Sequence, residues 1–216
     1  MVHHSELIVL NFTKIKDNAL VLHCLSPQWG RRGFIATVPK GAGTAMFQPL
    51  SILDAEVVEN PRSDLWRLRG ISAKYSLNGI RGSIPKNCMT MFMSEVLYRT
   101  IRDGDTEDGL YEWCRKAILT LDALEKDYAN YHLRFLLELA AALGFSPSVE
   151  DLAPFSGDRK KEIAALVSSD FVSCMLLPLN GQARSEIAEK LIKYLEYHTG
   201  EQINVRSLSV LHELYD

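Results

Sequence analysis

The residues with the clearest chemical potential are cations and one tryptophan in the first third of the chain. They are Trp29, Arg31, Arg32, Lys40, Arg67, Arg69 and Lys74. Arg67 and Arg69 are two residues apart, which places both on one face of a strand. Cations follow the phosphates of a single-stranded nucleic acid, and aromatic or guanidinium planes stack on its bases. The set predicts a nucleic-acid-binding surface; the alternative is a solvated surface in which Trp29 is a hydrophobic plug.

The charge distribution agrees with a polyanion as the partner of this region. The 216-residue chain has a net charge of −3, but residues 1–82 carry +4 and residues 83–216 carry −7. A basic module joined to an acidic remainder is typical of polyanion-binding proteins. No apolar run is long enough to span a bilayer, and the N-terminus lacks a signal-peptide pattern. We therefore expect a cytoplasmic protein without a membrane partner.

The sequence lacks the residue spacings of known catalytic and metal centres. Cys24, Cys88, Cys114 and Cys174 are too widely spaced for paired zinc ligands, and the histidines form no HExxH or HxH spacing. The glycine-rich residues 40–44 do not match a phosphate-binding loop, and no GxSxG motif is present. We expect no catalytic residue, no metal and no cofactor, with four reduced cysteines in the core. The acidic residues between 103 and 108 are interpreted as a solvated loop.

Short strands are predicted to position the basic residues. Apolar and β-branched segments cover residues 7–12, 19–25, 33–38, 47–58 and 65–75. Asp17 and Asn18 supply hairpin turn chemistry between the first two. Five strands joined by hairpin-length loops within about eighty residues favour a small closed barrel over an open sheet.

Helical periodicity begins near residue 83. Apolar residues recur at helical spacing in residues 89–101, 110–121, 131–143, 160–171 and 183–198. Ser148 and Asp151 resemble a capping box, Gly144 and Gly200 are candidate helix ends, and Asn204 is a candidate N-cap of a last helix. The predicted fold class is α+β, with a five-stranded barrel in residues 1–80 and an α-helical domain in residues 81–216.

A second candidate site lies on the predicted helix that contains Arg134. This arginine precedes an almost wholly apolar stretch that begins at Phe135. An arginine beside an apolar groove can hold the C-terminal carboxylate of a peptide. The alternative is an ion pair between helices.

Four segments, in the same order along the chain, resemble the bacterial recombination-mediator family RecO. Residues 27–31 (PQWGR) correspond to a turn that ends in glycine and a basic residue, and residues 47–53 (FQPLSIL) to an "LQPF-x-x-L" segment. Residues 133–147 are similar to the family's "LRFEL…LLxxLGYxP" helix. Residues 194–208, which include Arg206, are similar to its closing "YLxxHLGxxLKSxxFL" pattern.

The resemblance implies an N-terminal OB-fold, a C-terminal α-helical domain and no enzymatic activity. It also implies binding of single- and double-stranded DNA, annealing of complementary strands, and partnership with RecR in loading RecA. Recruitment by the C-terminal tail of single-strand DNA-binding protein is implied as well, and we assign it to Arg134, Phe135 and Arg206. Two rival interpretations are a protein adaptor whose barrel binds a peptide and not DNA, and a small hydrolase with a cysteine or serine nucleophile.

The chain departs from the family pattern in two places. Many relatives carry a four-cysteine zinc cluster after the "LGYxP" segment, whereas residues 146–173 here contain no cysteine. We therefore predict the form of the family without zinc. Relatives often have a Lys/Arg-rich loop before "LQPF", whereas Lys40 is the one cation in residues 39–46. Two alternatives follow: either the DNA affinity of this loop is reduced, or its contacts have moved to Arg31, Arg32, Arg67 and Arg69.

Overall fold

The computed structural model describes residues 1–38 and 44–215, which form two compact units. The first unit combines residues 1–78 with residues 101–118, and the second combines residues 79–100 with residues 119–215. Residues 101–118, which the sequence analysis assigned to the helical domain, therefore pack within the unit of the barrel. The division into independently folding domains at residues 1–80 and 81–216 stays a prediction.

The first unit contains a closed five-stranded barrel. Its strands are β1 (Val2–Lys16), β2 (Ala19–Ser26), β3 (Gly30–Thr37), β4 (Ile52–Val58) and β5 (Leu65–Ala73). Their order around the barrel is β1-β2-β3-β5-β4, with β4 pairing back to β1. The β3–β5 pair is parallel and the others are antiparallel. A closed five-stranded barrel in this order confirms the predicted OB-fold.

Alternation of apolar and polar residues builds the interior of the barrel. Leu7, Leu22, Phe34, Leu53 and Leu68 are all at most 3% exposed and pack together at its centre. Because successive side chains of a strand point to opposite faces, the residues on either side of each of these point away from the core. The two-residue turn predicted at Asp17 and Asn18 joins β1 to β2.

Helices make up most of the second unit. The helices of the described chain are α1 (Asn78–Arg81), α2 (Ile84–Thr100), α3 (Leu110–Ala123), α4 (Tyr131–Ala142), α5 (Val149–Ser156), α6 (Lys160–Ser168), α7 (Phe171–Met175), α8 (Gly181–Thr199) and α9 (Ser207–Tyr215). Among these described helices, none is both long enough and apolar enough to cross a membrane.

Local and tertiary contacts both fix the helix ends. The capping box of Ser148 and Asp151 is present at the start of α5, and Gly200 ends α8 in the left-handed conformation, as predicted. The prediction that Asn204 caps the last helix is wrong. The carboxylate of Glu95, on α2, instead accepts hydrogen bonds from the backbone N–H groups of Arg206 and Ser207.

Candidate nucleic-acid interface

Two arginines of β5 present their side chains to solvent. Arg67 and Arg69 are exposed, and Leu68 between them is 3% exposed because it points into the barrel. Within the described residues, the side chains of Arg67 and Arg69 make no ion pair or hydrogen bond, although Glu56 of β4 stands opposite Arg69 in the strand register. Both guanidinium groups are therefore available to a polyanion.

An aromatic cluster lies on the core-facing side of the barrel, and one of its rings belongs to β5. The guanidinium carbon of Arg32 lies 3.8 Å from the ring centroid of Trp66, within the range of a cation–π contact. The Trp66 ring meets the edge of Trp29 at 5.4 Å between centroids, and both rings pack against the barrel core. Trp29 therefore packs against the core, as the interpretation of this residue as a hydrophobic plug predicts. Arg32 and Trp66 are partly exposed, but Trp66 points to the face of β5 opposite to Arg67 and Arg69.

Trp66 did not emerge from the sequence as a site residue. The available signal was its place directly before Arg67 on a predicted strand, which puts it on the opposite face from Arg67 and Arg69. The parallel pairing of β3 with β5 brings it within reach of Arg32, with Phe34 opposite Trp66 in the register. That pairing joins strands distant in sequence and cannot be deduced from either strand alone.

Arg31 is engaged by a carboxylate from the segment after α2. Its Nε donates to Asp103 Oδ1 at 2.7 Å, and its side chain is 15% exposed. Residues 103–108 are all exposed, as the interpretation of this segment as a solvated loop predicts, and the Asp103 side chain, 66% exposed, additionally pairs with Arg31. A DNA phosphate that contacts Arg31 Nε must displace the Asp103 carboxylate.

Lys74 is also held by carboxylates. Its Nζ lies 3.0 Å from Glu6 Oε1 and 3.4 Å from Asp54 Oδ2. Hydrogen bonds to Glu6 and then to Asp54 raise the pKa of the Lys74 ammonium, which therefore stays protonated. Its charge is neutralised locally, so it adds less to an interface than an unpaired cation does. Lys40 lies outside the described residues.

The predicted DNA-binding cations thus have three different environments. Arg67 and Arg69 on β5 are exposed, Arg32 on the adjacent β3 covers an aromatic ring, and Arg31 and Lys74 are paired with carboxylates. The arginines of β3 and β5 lie on neighbouring strands, but Ile35, and neither Arg31 nor Arg32, stands opposite Arg67 in the register. The part of the barrel that can hold a phosphate backbone is therefore centred on β5.

The candidate peptide-binding residues of the helical unit lie in dissimilar surroundings. Arg134 Nε donates to Glu138 Oε1 at 2.6 Å, one turn along α4, and its Nη1 donates to the Ser169 carbonyl at 3.0 Å. Phe135 is 2% exposed, so its ring belongs to the core. Arg206 is exposed and precedes α9. Among the described residues, no hydrogen bond or ion pair connects Arg134 with Arg206.

The described part of the chain shows no metal-binding cluster. No three histidine, cysteine, aspartate or glutamate side chains come together there in a way that could hold a metal ion. Cys24, Cys114 and Cys174 are buried and Cys88 is partly exposed, and all four are free thiols. Burial raises the pKa of the Cys24 and Cys114 thiols, that of Cys114 to about 12, so both stay protonated and unreactive near neutral pH.

Sequence comparison identifies the family. Residues 81–213 match the model of the recombination protein O C terminal family. The chain is 27% identical to the DNA repair protein RecO of Bacteroides fragilis in an alignment 235 positions long, which covers 97% of each chain. It is 24% identical to the DNA repair protein RecO of Phocaeicola vulgatus, with coverage of 96% of this chain and 97% of the relative. For the protein of the same name in Flavobacterium psychrophilum the identity is 23%, with 98% of each chain covered. The closed barrel, the helical unit and these matches together place the chain in the RecO family.

Proposed function

We propose that this RecO-family protein is a non-enzymatic mediator of DNA repair and recombination. It binds single- and double-stranded DNA through the barrel and anneals complementary strands. Together with RecR it helps to load RecA at gaps coated by single-strand DNA-binding protein. It does so in the bacterial cytoplasm, on DNA of the nucleoid.

The exposed pair Arg67 and Arg69 carries the proposal. Two guanidinium groups on one strand face, without carboxylate partners among the described residues, provide consecutive cations along one line. Side chains two residues apart on a strand are roughly 6–7 Å apart, a separation that lets both follow one extended backbone. Trp66, which Arg32 covers, points to the opposite face of β5 and is not part of this line.

Annealing requires no catalytic group in this scheme. Two complementary strands repel each other through their phosphates, and cations that neutralise those phosphates lower the repulsion. Base pairing then provides the driving force. The barrel needs to hold strands without specificity, and contacts to phosphates carry no sequence information.

Fluorescence anisotropy of a labelled single-stranded oligonucleotide across a salt series tests the binding step. We expect affinity to fall with salt, with a slope of about −0.7 for each phosphate contacted. The second step is tested by annealing two complementary oligonucleotides and monitoring energy transfer between their end labels. The protein should accelerate this annealing at low salt. No binding at low salt would overturn the proposal and leave the protein adaptor as the better explanation.

We further propose that Arg134 receives the C-terminal carboxylate of the single-strand DNA-binding protein. Arg134 is 24% exposed, and its ion pair with Glu138 shows that this guanidinium binds a carboxylate in place. The tail would exchange with Glu138 on the same guanidinium. Phe135 is buried, so it would support the site by packing α4 against the core. Arg206 would offer a second cation.

Titration of a labelled tail peptide against Arg134→Ala tests this assignment. We expect a loss of affinity of at least tenfold, because a charge-assisted hydrogen bond contributes about 1.5–3 kcal/mol. Lys126→Ala, which removes an exposed cation of the same unit, is the control and should bind as the parent protein does. Unchanged affinity of Arg134→Ala would remove this residue from the proposed tail site.

A further inference from the structure

A short acidic segment crosses the barrel unit at Arg31. Its carboxylates are Asp103, Asp105, Glu107 and Asp108, and the segment belongs to the same compact unit as the barrel. We propose that Asp103 is an internal competitor of DNA, which occupies Arg31 and so sets the affinity of the barrel for single strands. This inference rests on the proposed function, since it concerns the same binding surface.

The contact between the two side chains has the geometry of a phosphate contact. Arg31 Nε donates to Asp103 Oδ1 at 2.7 Å, a typical length for a charge-assisted hydrogen bond. Carboxylate and phosphate oxygens accept from a guanidinium in the same way. The Arg31 side chain is 15% exposed, whereas that of Asp103 is 66% exposed. The carboxylate therefore lies on the solvent side of a largely covered arginine.

Backbone contacts hold the acidic segment in this position. Arg31 and Asp103 form a parallel β-bridge, and the Gly104 N–H donates to the Arg31 carbonyl at 2.8 Å. The Asp105 carbonyl oxygen approaches Gly30 so closely that a Cβ there would lie 1.7 Å from it. Gly30 also has a φ of +59°, which glycine adopts without strain. The Asp103 carboxylate is thus fixed by main-chain pairing as well as by its charge.

This fixed position distinguishes Asp103 from Asp17, a carboxylate at the β1–β2 turn. Asp17 also pairs with a cation, Lys14, at 3.4 Å, but both side chains extend into solvent at the β1–β2 turn. Removing the charge of Asp17 changes the net charge of the barrel without releasing Arg31. Removing the charge of Asp103 makes the same change in net charge and also removes the ion pair with Arg31, so that a phosphate competes there with a neutral acceptor and no longer with a carboxylate.

The test compares Asp103→Asn with Asp17→Asn in full-length protein, by anisotropy of a labelled oligo(dT) across a salt series. Because the substitution removes one exposed ion pair, Asp103→Asn should raise the affinity for oligo(dT) about two- to fivefold more than Asp17→Asn. One additional phosphate contact should steepen its salt slope by about 0.7. The amide keeps the size of the carboxylate and an acceptor oxygen, so thermal unfolding of both variants should match that of the parent.

A double-mutant cycle with Arg31→Met separates the specific contact from general repulsion. The gain from Asp103→Asn should disappear when Arg31 is absent, because no cation is then released. Equal effects of Asp103→Asn and Asp17→Asn, or a gain that persists with Arg31→Met, would overturn the competitor role while leaving DNA binding intact. If none of the proteins binds DNA at low salt, the proposed function itself fails, and this inference fails with it.

Discussion

Replacing Arg67 and Arg69 together with alanine tests the barrel surface quantitatively. Each guanidinium that contacts a phosphate of a single strand contributes about 0.7 to the salt slope, so the pair contributes about 1.4. If binding is the same at about 1 M salt, a slope difference of this size makes the double variant about 25-fold weaker at about 0.1 M. The side chains are exposed and Leu68 between them stays in the core, so the barrel should remain folded.

The measurement is anisotropy of a labelled oligo(dT) at several salt concentrations, with Lys14→Ala/Lys16→Ala as the matched control. This control also removes two exposed cations from the barrel, but from the end of β1. We expect it to lose much less affinity and to keep most of the parent's salt slope. Equal losses in the two double variants would mean that only net charge matters. An unchanged slope in the arginine variant would refute the placement of the phosphates on β5.

Two further predictions concern the helical unit. Lys86 is 4% exposed, and its Nζ donates to the Asp122 carbonyl at 3.0 Å and to the Leu124 carbonyl. Lys86→Met should therefore lower the free energy of unfolding by about 1.5–3 kcal/mol, whereas the same change at the exposed Lys126 should leave thermal unfolding unaltered. Burial lowers the pKa of His132 to about 3, so below about pH 6.5 the unfolded chain binds a proton that the folded chain does not. The free energy of unfolding should then fall by up to about 1.4 kcal/mol per pH unit on acidification, and His132→Leu should remove this component in urea titrations between about pH 7 and 5. Identical pH slopes for variant and parent would contradict the assignment to His132.

The features predicted correctly from the sequence depend on contacts between near neighbours. The turn at Asp17 and Asn18, the capping box of Ser148 and Asp151, and the end of α8 at Gly200 are each determined within a few residues. Runs of apolar and β-branched residues likewise predicted the five strands, because composition and bounding turn residues are local properties of the sequence. Closure of the barrel followed from their number and spacing.

The features that the sequence did not predict depend on groups far apart along the chain. Asp103 is 72 residues from Arg31, and the Glu95 that caps α9 is 111 residues from Arg206. Which carboxylate faces which cation depends on strand order and on the packing of segments between strands and helices. No periodicity in the sequence contains that information. The candidate cations could therefore be identified from the sequence, but their electrostatic partners could not.

The carboxylate partners of these cations reduce the capacity of the basic first third of the chain to bind a polyanion. A net charge of +4 over residues 1–82 suggests a strongly cationic barrel, but this sum does not count Asp103, whose carboxylate pairs with Arg31. The acidic segment at residues 103–108 lies outside residues 1–82 and adds further negative charge to the same unit. Under the proposed function, a barrel with few unpaired cations would hold a single strand weakly and release it readily. Weak, salt-sensitive binding would suit the proposed annealing, because each strand must leave the protein surface as it pairs with its complement.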